Sequence, residues 1–519
     1  MSAAAAFEVF EYSLDQLARI IAEGSHQRSV DEIRKKRHVE YVDGYLREIG
    51  VASLIVERDY IDRDYLEDFA AYYVRCFEEY RKKCLRIHFF SAAISRDDLT
   101  ACLTGAPDAT LSKSYLGFIV VKPLPRTVIG RTCLITYCNK AQRHYPAARK
   151  FESNLFGVPL SIANTLPFQE QDSVVAACAT SALWTLFQAT AREFEHQVLT
   201  PIEITRAATH LLPTESRVIP NQGLSTHMMA HAIKSVNLEP FLIRVAEDKV
   251  FHAAIYSYVR ARIPLLLGVD LLEQTADDLY KPMGKHALAI VGYNLGGSPT
   301  PLSASGLVLR SSRMDKIYVH DDQIGPFARM ELDGKRIKVE KAKGDVREAT
   351  SLSTSWPGAG EVRAVPDILL VPLYHKVRLS WEWTLKRVTE INEMLMQFTR
   401  AHAPLKANQL EWDVYLTTVN EVRHSLRASS MNADEKLASV TRPMPKFIWR
   451  ATALRDDLPV MDVLFDATDI DSSDALIQAL IHDWNTLDFI KNLANAGDID
   501  QLPFDNSALR LMHWVHEHY

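Results

Sequence analysis

The sequence is poor in cysteine and glycine, and it contains no long apolar run. Its 519 residues include only six cysteines and 20 glycines. The scarcity of glycine favours a substantial helical content. No two cysteines form a CxxC pair or cluster with histidine, so the sequence predicts neither a disulfide framework nor a zinc site. No segment approaches the roughly 18 consecutive apolar residues that a membrane-spanning helix needs. The cysteines are Cys76, Cys84, Cys102, Cys133, Cys138 and Cys178.

A strong charge of either sign is also missing. The net charge is -6 and the isoelectric point is near 6.3, so neither favours a nucleic-acid partner. Residues Met1 to Phe10 contain no basic segment, and acidic residues occur early, at Glu8 and Glu11. This pattern does not fit a secretory signal. We therefore expect a cytoplasmic protein with reduced thiols and with no membrane partner.

The length favours two or three domains, because one hydrophobic core rarely extends over so many residues. Residues 1–150 are predicted to form an α+β accessory domain without chemistry of its own. In this domain Tyr65–Cys84 is expected as one long amphipathic helix, and Tyr115–Val121 as a strand. Residues 379–519 are predicted to be mostly helical, with helices at Leu379–Thr399 and Asn506–His518 and a short strand candidate at Val460–Phe465 that Asp462 interrupts. An acidic run ending at Asp474 fits a helix N-cap better than a calcium loop. The fold class of the whole chain is α+β.

The middle region, residues 151–378, contains a cysteine in an unusual setting. Cys178 lies between Ala177 and Ala179, and the residues after it keep helical spacing, which places it in the first turn of a buried helix. The positive end of a helix favours a thiolate, and small neighbours let a substrate carbonyl approach the sulfur. Gln171, with Gln169 as the alternative, is placed upstream to donate an N–H to an oxyanion.

A histidine and an aspartate downstream could complete a catalytic triad with Cys178. His286 opens the run His286–Tyr293, which has the apolar composition of a strand buried on both faces. The next strand candidate begins at Lys316 and ends at Asp321. Strand alternation places Asp321 where it could accept a hydrogen bond from the imidazole and orient it, with Asp322 as the alternative.

These motifs resemble the papain-like cysteine peptidase superfamily, most closely its bacterial C39-like branch. The resemblance rests on a Gln before Cys178 at a helix start, on His-Ala-x-x-Ile-Val-Gly-Tyr from His286, and on a strand that ends at Asp321. It extends over about residues 155–375, where the predicted helix–strand–helix–strand spacer between cysteine and histidine also fits. It implies a papain-like domain that hydrolyses a peptide or isopeptide bond through Cys178, His286, Asp321 and Gln171, without a cofactor or a metal.

The expected function is therefore that of an intracellular cysteine peptidase with a protein or peptide substrate. The flanking regions are expected to choose that substrate or to bind a regulatory protein. Two alternatives stay open. The same triad could run a transamidation or deamidation, and a papain-like scaffold could bind a partner while its chemistry is silent.

Overall fold

The computed structural model describes most of the chain and leaves short gaps. Within the described part, helices and strands occur in nearly equal amounts, 36% and 34%, which confirms the α+β class. Cys138 and the acidic run that ends at Asp474 lie outside the described residues. The described ranges are 6–26, 28–137, 142–172, 174–211, 219, 223–245, 248–276, 279–302, 306–340, 345–402, 410–429, 431–470, 475–495 and 497–519.

The elements alternate along the whole chain. The helices are α1 (Leu14–Gly24), α2 (Val30–Arg34), α3 (Arg37–Glu48), α4 (Arg63–Ala71), α5 (Arg96–Leu103), α6 (Ala109–Ser114), α7 (Cys178–Phe194), α8 (Pro201–Thr209), α9 (Thr226–Ser235), α10 (Asp248–Arg260), α11 (Trp381–His402), α12 (Val419–Ala428), α13 (Ala433–Thr441), α14 (Trp484–Asn495) and α15 (Asn506–His518). Short 3-10 turns lie at Tyr73–Arg75, Arg310–Arg313 and Ile499–Gln501.

The strands are β1 (Phe7–Glu11), β2 (Ser53–Tyr60), β3 (Cys84–Phe90), β4 (Tyr115–Val121), β5 (Ile129–Leu134), β6 (Arg143–His144), β7 (Arg149–Leu155), β8 (Val158–Thr165), β9 (Leu238–Arg244), β10 (Leu265–Ala276), β11 (Leu279–Asn294), β12 (Val308–Leu309), β13 (Lys316–Asp321), β14 (Gly325–Glu331), β15 (Arg336–Glu340), β16 (Val346–Thr350), β17 (Leu352–Ser353), β18 (Val362–Tyr374), β19 (Glu411–Thr418), β20 (Phe447–Arg455), β21 (Leu458–Asp466) and β22 (Leu476–Ile481).

The chain divides into two compact units whose bounds differ from the three predicted domains. The first comprises residues 1–245, 262–293 and 316–372, and the second comprises 246–261, 294–315 and 373–519. No boundary falls at residue 150, because one apolar cluster extends from Ile55 in β2 through Ile162 in β8 to Ile202 in α8. Helix α10, which the sequence placed in the spacer between cysteine and histidine, belongs to the second unit.

The first unit contains an antiparallel sheet in the order β1-β2-β3-β4-β5 and a larger sheet that holds the predicted histidine and aspartate strands. In the larger sheet β10, β18, β17, β14, β13 and β11 are neighbours in that order, and β11 pairs again with β10. This last pairing closes the path into a ring of six strands. Helix α7 contacts β10 and β13, so the start of the predicted nucleophile helix lies beside the ring.

The second unit contains the described five-stranded sheet β12-β19-β20-β21-β22, which corrects the prediction of a mostly helical C-terminal region. Helical periodicity identified α11 and α15 there. The strand candidate at Val460–Phe465 is confirmed as β21, although Asp462 is buried inside it. The other strands were missed, and polar residues interrupt them too, as buried Asp413 does in β19. Helix α15 begins and ends where the sequence predicts it. The residues after Asp474 form strand β22, so the predicted helix start at that point is wrong.

The long helix predicted for Tyr65–Cys84 is also wrong. Helix α4 ends at Ala71, and almost all side chains from Val74 to Lys83 are exposed, so no apolar stripe continues that could bury a helix face. Cys84 instead begins β3, whose seven residues are all buried. The strand predicted at Tyr115–Val121 is confirmed as β4.

None of the described helices is both long enough and apolar enough to cross a lipid bilayer.

Candidate active site

Cys178 is the first residue of helix α7, as predicted. The preceding residue, Ala177, has an extended backbone and no side chain that could cap the helix. The first N–H groups of a helix lack intrahelical partners, so here they are left to face whatever binds at the sulfur. Cys178 itself is partly exposed. A thiol at this position is both accessible and next to the positive end of the helix.

His286 lies in the interior of strand β11, whereas the sequence predicted that it opens the strand. The burial pattern explains the difference: Lys281–Lys285 are exposed, and the strand becomes buried from His286 onward. His286 is opposite Val269 of β10 and is only 6% exposed. Burial alone would lower its pKa, but the Asp321 carboxylate and hydrogen bonds with Asp321 and Cys178 hold that pKa well above its usual value.

Asp321 is the last residue of β13 and faces His286, as strand alternation predicts. Its Oδ1 lies 3.0 Å from His286 Nε2 and accepts the Gln323 backbone N–H at 2.9 Å. The charge and hydrogen bond of His286 outweigh burial and lower the pKa of Asp321. Because Nε2 is engaged by Asp321, Nδ1 is the imidazole nitrogen left for the Cys178 thiol.

Asp322, the alternative triad acid, is also close to the imidazole. Its Oδ1 lies 3.6 Å from His286 Nε2, beyond the 3.0 Å contact of Asp321. Burial and the neighbouring Asp321 charge raise the pKa of Asp322 to about 7. The geometry therefore favours Asp321 as the residue that orients the base, with Asp322 as a second carboxyl group close to protonation at neutral pH.

Trp356 is a site residue that the sequence analysis missed. Its Nε1 donates to Asp321 Oδ2 at 2.7 Å, and its ring meets the His286 ring nearly edge-on, with centroids 4.7 Å apart. The indole thus covers the hydrogen bond between the histidine and the aspartate. A lone tryptophan within a loop rich in serine, glycine and proline was the available signal, because buried packing does not require an aromatic residue there.

Gln171, rather than Gln169, lines the cleft with Cys178. Gln169 is buried and is not among the residues that line the cleft. Asp172 fixes the turn between Gln171 and the helix: its Oδ1 accepts the N–H groups of Val174 and Val175, and its Oδ2 accepts the Tyr73 hydroxyl at 2.7 Å. Gln171 and Cys178 thus line the same cleft, as an oxyanion donor and a nucleophile would.

The cleft at Cys178 has a volume of about 780 Å³ and small, mostly apolar walls. Gly268 permits part of this shape, because a Cβ there would come within 2.8 Å of the Ile368 side chain. This volume is in the range of sites that accommodate small molecules or a few residues of an extended peptide. Its lining residues are Gln171, Asp172, Ala176, Ala177, Cys178, Ala179, Gly223, Leu224, Ser225, Thr226, Met229, Gly268, Val269, Lys285, His286, Ala287, Asp367 and Ile368.

The other described cysteines differ from Cys178. Cys84, Cys102 and Cys133 are buried, and burial raises the pKa of each thiol, that of Cys133 to about 12. Cys133 packs in strand β5, as predicted. Cys76 is partly exposed, and its thiol lies 3.8 Å from the Tyr72 carbonyl. Cys76 is thus the natural internal reference for the reactivity of Cys178.

His286, Asp321 and Asp322 bring potential metal-ligating atoms within 4.8 Å of one another. A metal ion would compete with groups already in place, since Asp321 accepts hydrogen bonds from Trp356 and Gln323 and contacts His286. Asp321 has its two oxygens engaged by these donors. The donor set therefore fits an imidazolium held by carboxylates better than a metal centre.

Comparison with protein-family models gives no match, and comparison with curated proteins gives none either. What the site does must be inferred from its geometry.

Proposed function

We propose that the chain is a cysteine peptidase that cleaves a peptide or isopeptide bond in a protein substrate. The observation that carries the proposal is the series of contacts from Cys178 to His286 to the buried Asp321, with Cys178 and His286 lining one cleft. A thiol at a helix start, an imidazole with a raised pKa and an orienting carboxylate are the parts that nucleophilic thiol catalysis requires.

In the proposed reaction the His286 imidazole holds the Cys178 proton, and the thiolate attacks the substrate carbonyl carbon. The resulting oxyanion accepts hydrogen bonds from the Cys178 backbone N–H and the Gln171 side chain. His286 then gives its proton to the leaving amine, the C–N bond breaks, and a thioester with Cys178 remains. Water, deprotonated by His286, attacks the thioester, and the acid product leaves with the thiol restored.

Two linked measurements test the proposal. In the first, the full chain is treated with iodoacetamide from pH 5 to pH 9, and the labelled cysteine is located by peptide mass spectrometry. We expect Cys178 to label much faster than Cys76 below pH 7, and we expect that advantage to be lost in His286→Ala, because the imidazolium that stabilises the thiolate is removed.

In the second measurement, a cell lysate is incubated with the wild-type chain or with Cys178→Ala, and new peptide termini are identified. The proposal predicts termini that only the wild type produces. Fast labelling without new termini, but with glutamine deamidation or new amide cross-links, would assign the triad to transfer or deamidation. Slow labelling of Cys178, equal to that of Cys76 and unaffected by His286→Ala, would overturn the proposed chemistry and leave a binding module.

A further inference from the structure

Three consecutive residues at the start of helix α3 contact separate parts of the candidate site. Lys36, Arg37 and His38 lie far from Cys178 in sequence, in the region predicted to have no chemistry of its own. Helix α3 is anchored on strand β14, where the Tyr41 hydroxyl donates to the Pro326 carbonyl at 2.8 Å. The anchoring is close: a Cβ at Gly325, which has φ +158°, would lie 2.2 Å from the Tyr41 ring. The start of α3 is therefore fixed beside the turn after Asp321.

His38 holds the backbone of that turn. It is 6% exposed, and its Nε2 donates to the Asp322 carbonyl oxygen at 2.8 Å. The carbonyl belongs to the residue directly after Asp321, so this hydrogen bond restricts the peptide that carries the orienting carboxylate. His38 Nδ1 also lies 3.6 Å from Glu170.

Arg37 holds the tryptophan that covers the triad. Its guanidinium lies 5.9 Å from the centroid of the Trp356 ring and donates to the Ser355 carbonyl oxygen. Its charge is also close enough to interact with Asp321. A cation–π contact, together with the hydrogen bond to the neighbouring carbonyl, restrains the position of both groups. Trp356 in turn donates to Asp321, so the restraint reaches the acid of the triad.

Lys36 holds the segment that carries Gln171. Its Nζ lies 2.5 Å from Oε1 of the buried Glu170, and Glu170 Oε2 accepts the Ile129 N–H at 2.9 Å. A buried carboxylate without such a partner would strongly destabilise the folded protein. Because Glu170 directly precedes Gln171, the ion pair between Lys36 and Glu170 restricts the backbone position of Gln171, the candidate oxyanion donor.

We propose that Lys36, Arg37 and His38 form a positioning clamp that holds the Gln171 segment, the Asp321 turn and the Trp356 loop in one catalytic arrangement. The inference rests on the proposed function, because it concerns the same triad. These residues do not touch the reacting atoms; they act through Glu170, Asp322 and Trp356. Outer contacts of this kind set the orientation of catalytic side chains in other enzymes and are worth about 10- to 100-fold in function.

The test uses Arg37→Ala in the full chain, with Arg47→Ala as the matched control. Arg47 is an exposed arginine on the same helix that pairs with Asp43. Cys178 labelling by iodoacetamide is measured at pH 6 and pH 9, and the melting temperature is recorded. For Arg37→Ala we expect labelling at pH 6 to fall about tenfold while labelling at pH 9 is unchanged, because a loosened Asp321 supports the imidazolium less well. Arg37→Lys should recover only part of the loss, since it keeps the charge but not the guanidinium group that donates to the Ser355 carbonyl.

Amide hydrogen exchange of peptides containing Gln171, Asp321 and Trp356 provides a readout that does not require chemistry. Faster exchange in the Asp321 and Trp356 peptides of Arg37→Ala, and in the Gln171 peptide of Lys36→Met, supports the clamp. If the wild type labels slowly at every pH, the proposed function fails, and exchange alone decides about the clamp. An unchanged ratio of labelling between pH 6 and pH 9, together with exchange equal to that of Arg47→Ala, would overturn it.

Discussion

Buried acids chosen from the two compact units differ in how completely their charge is compensated. In the second unit Asp462 is neutralised completely: Arg450 donates to both of its oxygens, at 3.0 and 2.7 Å, and the Thr452 hydroxyl donates as well. The hydrogen bond with the His482 imidazole and these donors outweigh burial and hold the pKa of Asp462 below its usual range. In the first unit Asp321 and Asp322 both lie beside one imidazole, that of His286, and burial together with the Asp321 charge raises the pKa of Asp322 to about 7.

The contrast is between a charge that supports the fold and a group that could take part in proton transfer. A buried ion pair that only supports the fold gains from complete compensation, because any uncompensated charge costs stability. A site that must transfer protons gains from groups that titrate near neutral pH, and such groups exist only where compensation is incomplete. Asp322 in the first unit fits the second description, because its pKa is raised to about 7, and the following predictions test that contrast.

Asp321→Asn should have the largest effect on activity. The amide oxygen can still accept the imidazole N–H, but it carries no charge to stabilise the imidazolium, so we expect hydrolysis of a peptide found in the lysate experiment to fall by about 10³-fold. The rate constant kcat and the midpoint of unfolding in urea are measured side by side. If Asp321→Asn keeps its activity while Asp322→Asn loses it, the orienting acid is Asp322.

Asp462→Ala should give the largest loss of stability. Removal of the carboxylate leaves Arg450 buried without its partner, so we expect the free energy of unfolding to fall by about 3–5 kcal/mol at pH 7. Because the pKa of Asp462 is lowered in the folded state, this contribution is present above the unfolded value and disappears as the pH falls. Asp500→Ala, at an exposed acid of the same unit, is the control. Equal losses of unfolding free energy in Asp462→Ala and Asp500→Ala would contradict the contrast between the units.

Gln171→Ala should reduce hydrolysis by about 10²-fold, because one oxyanion donor is lost. The rate of iodoacetamide labelling should be unchanged, since alkylation forms no oxyanion. Gln169→Ala serves as the comparison, because Gln169 lies outside the cleft. A larger kinetic loss for Gln169→Ala than for Gln171→Ala would show that the candidate donor is wrongly assigned.

Asp322→Asn should have the smallest effect, and it should be stabilising. The folded pKa of Asp322 is raised, so the wild type loses stability as the pH rises from about 4 to about 7. Asparagine does not ionise, so we expect the variant to gain about 2 kcal/mol relative to wild type at pH 8 and nothing at pH 4. Urea unfolding at the two pH values measures this. A gain at pH 4, or a loss at pH 8, contradicts the assignment of Asp322 as a strained acid.

Much of the candidate site follows from local pattern. Helical spacing after Cys178 predicted that it lies at the start of a helix, and strand alternation predicted that Asp321 faces the neighbouring strand. Both are short-range signals, because side-chain direction depends only on the period of the element. His286 was identified for the same reason, although its strand begins seven residues earlier, at Leu279, where exposed residues conceal the pattern.

The contacts that cross long stretches of sequence were not predictable in this way. Nothing near His38 indicates that its ring bonds the Asp322 carbonyl, since that contact depends on how α3 docks on β14. The contact of Trp356 with Asp321 likewise depends on how distant segments meet. The sheet of the second unit was not predicted, because only one of its strands, the candidate at Val460–Phe465, was recognised, and the compensation of Asp462 by Arg450 is visible only in three dimensions.

The closed ring of strands also bears on when the site can first form during synthesis. Cys178 and His286 precede β18, and the ring closes only when β18 pairs with β10 on one side and β17 on the other. Contacts between such distant segments form late, because the loop between them must first be ordered. Because β18 also supplies Asp367 and Ile368 to the lining of the cleft beside Cys178, the cleft is complete only after residues 362–374 have joined the ring.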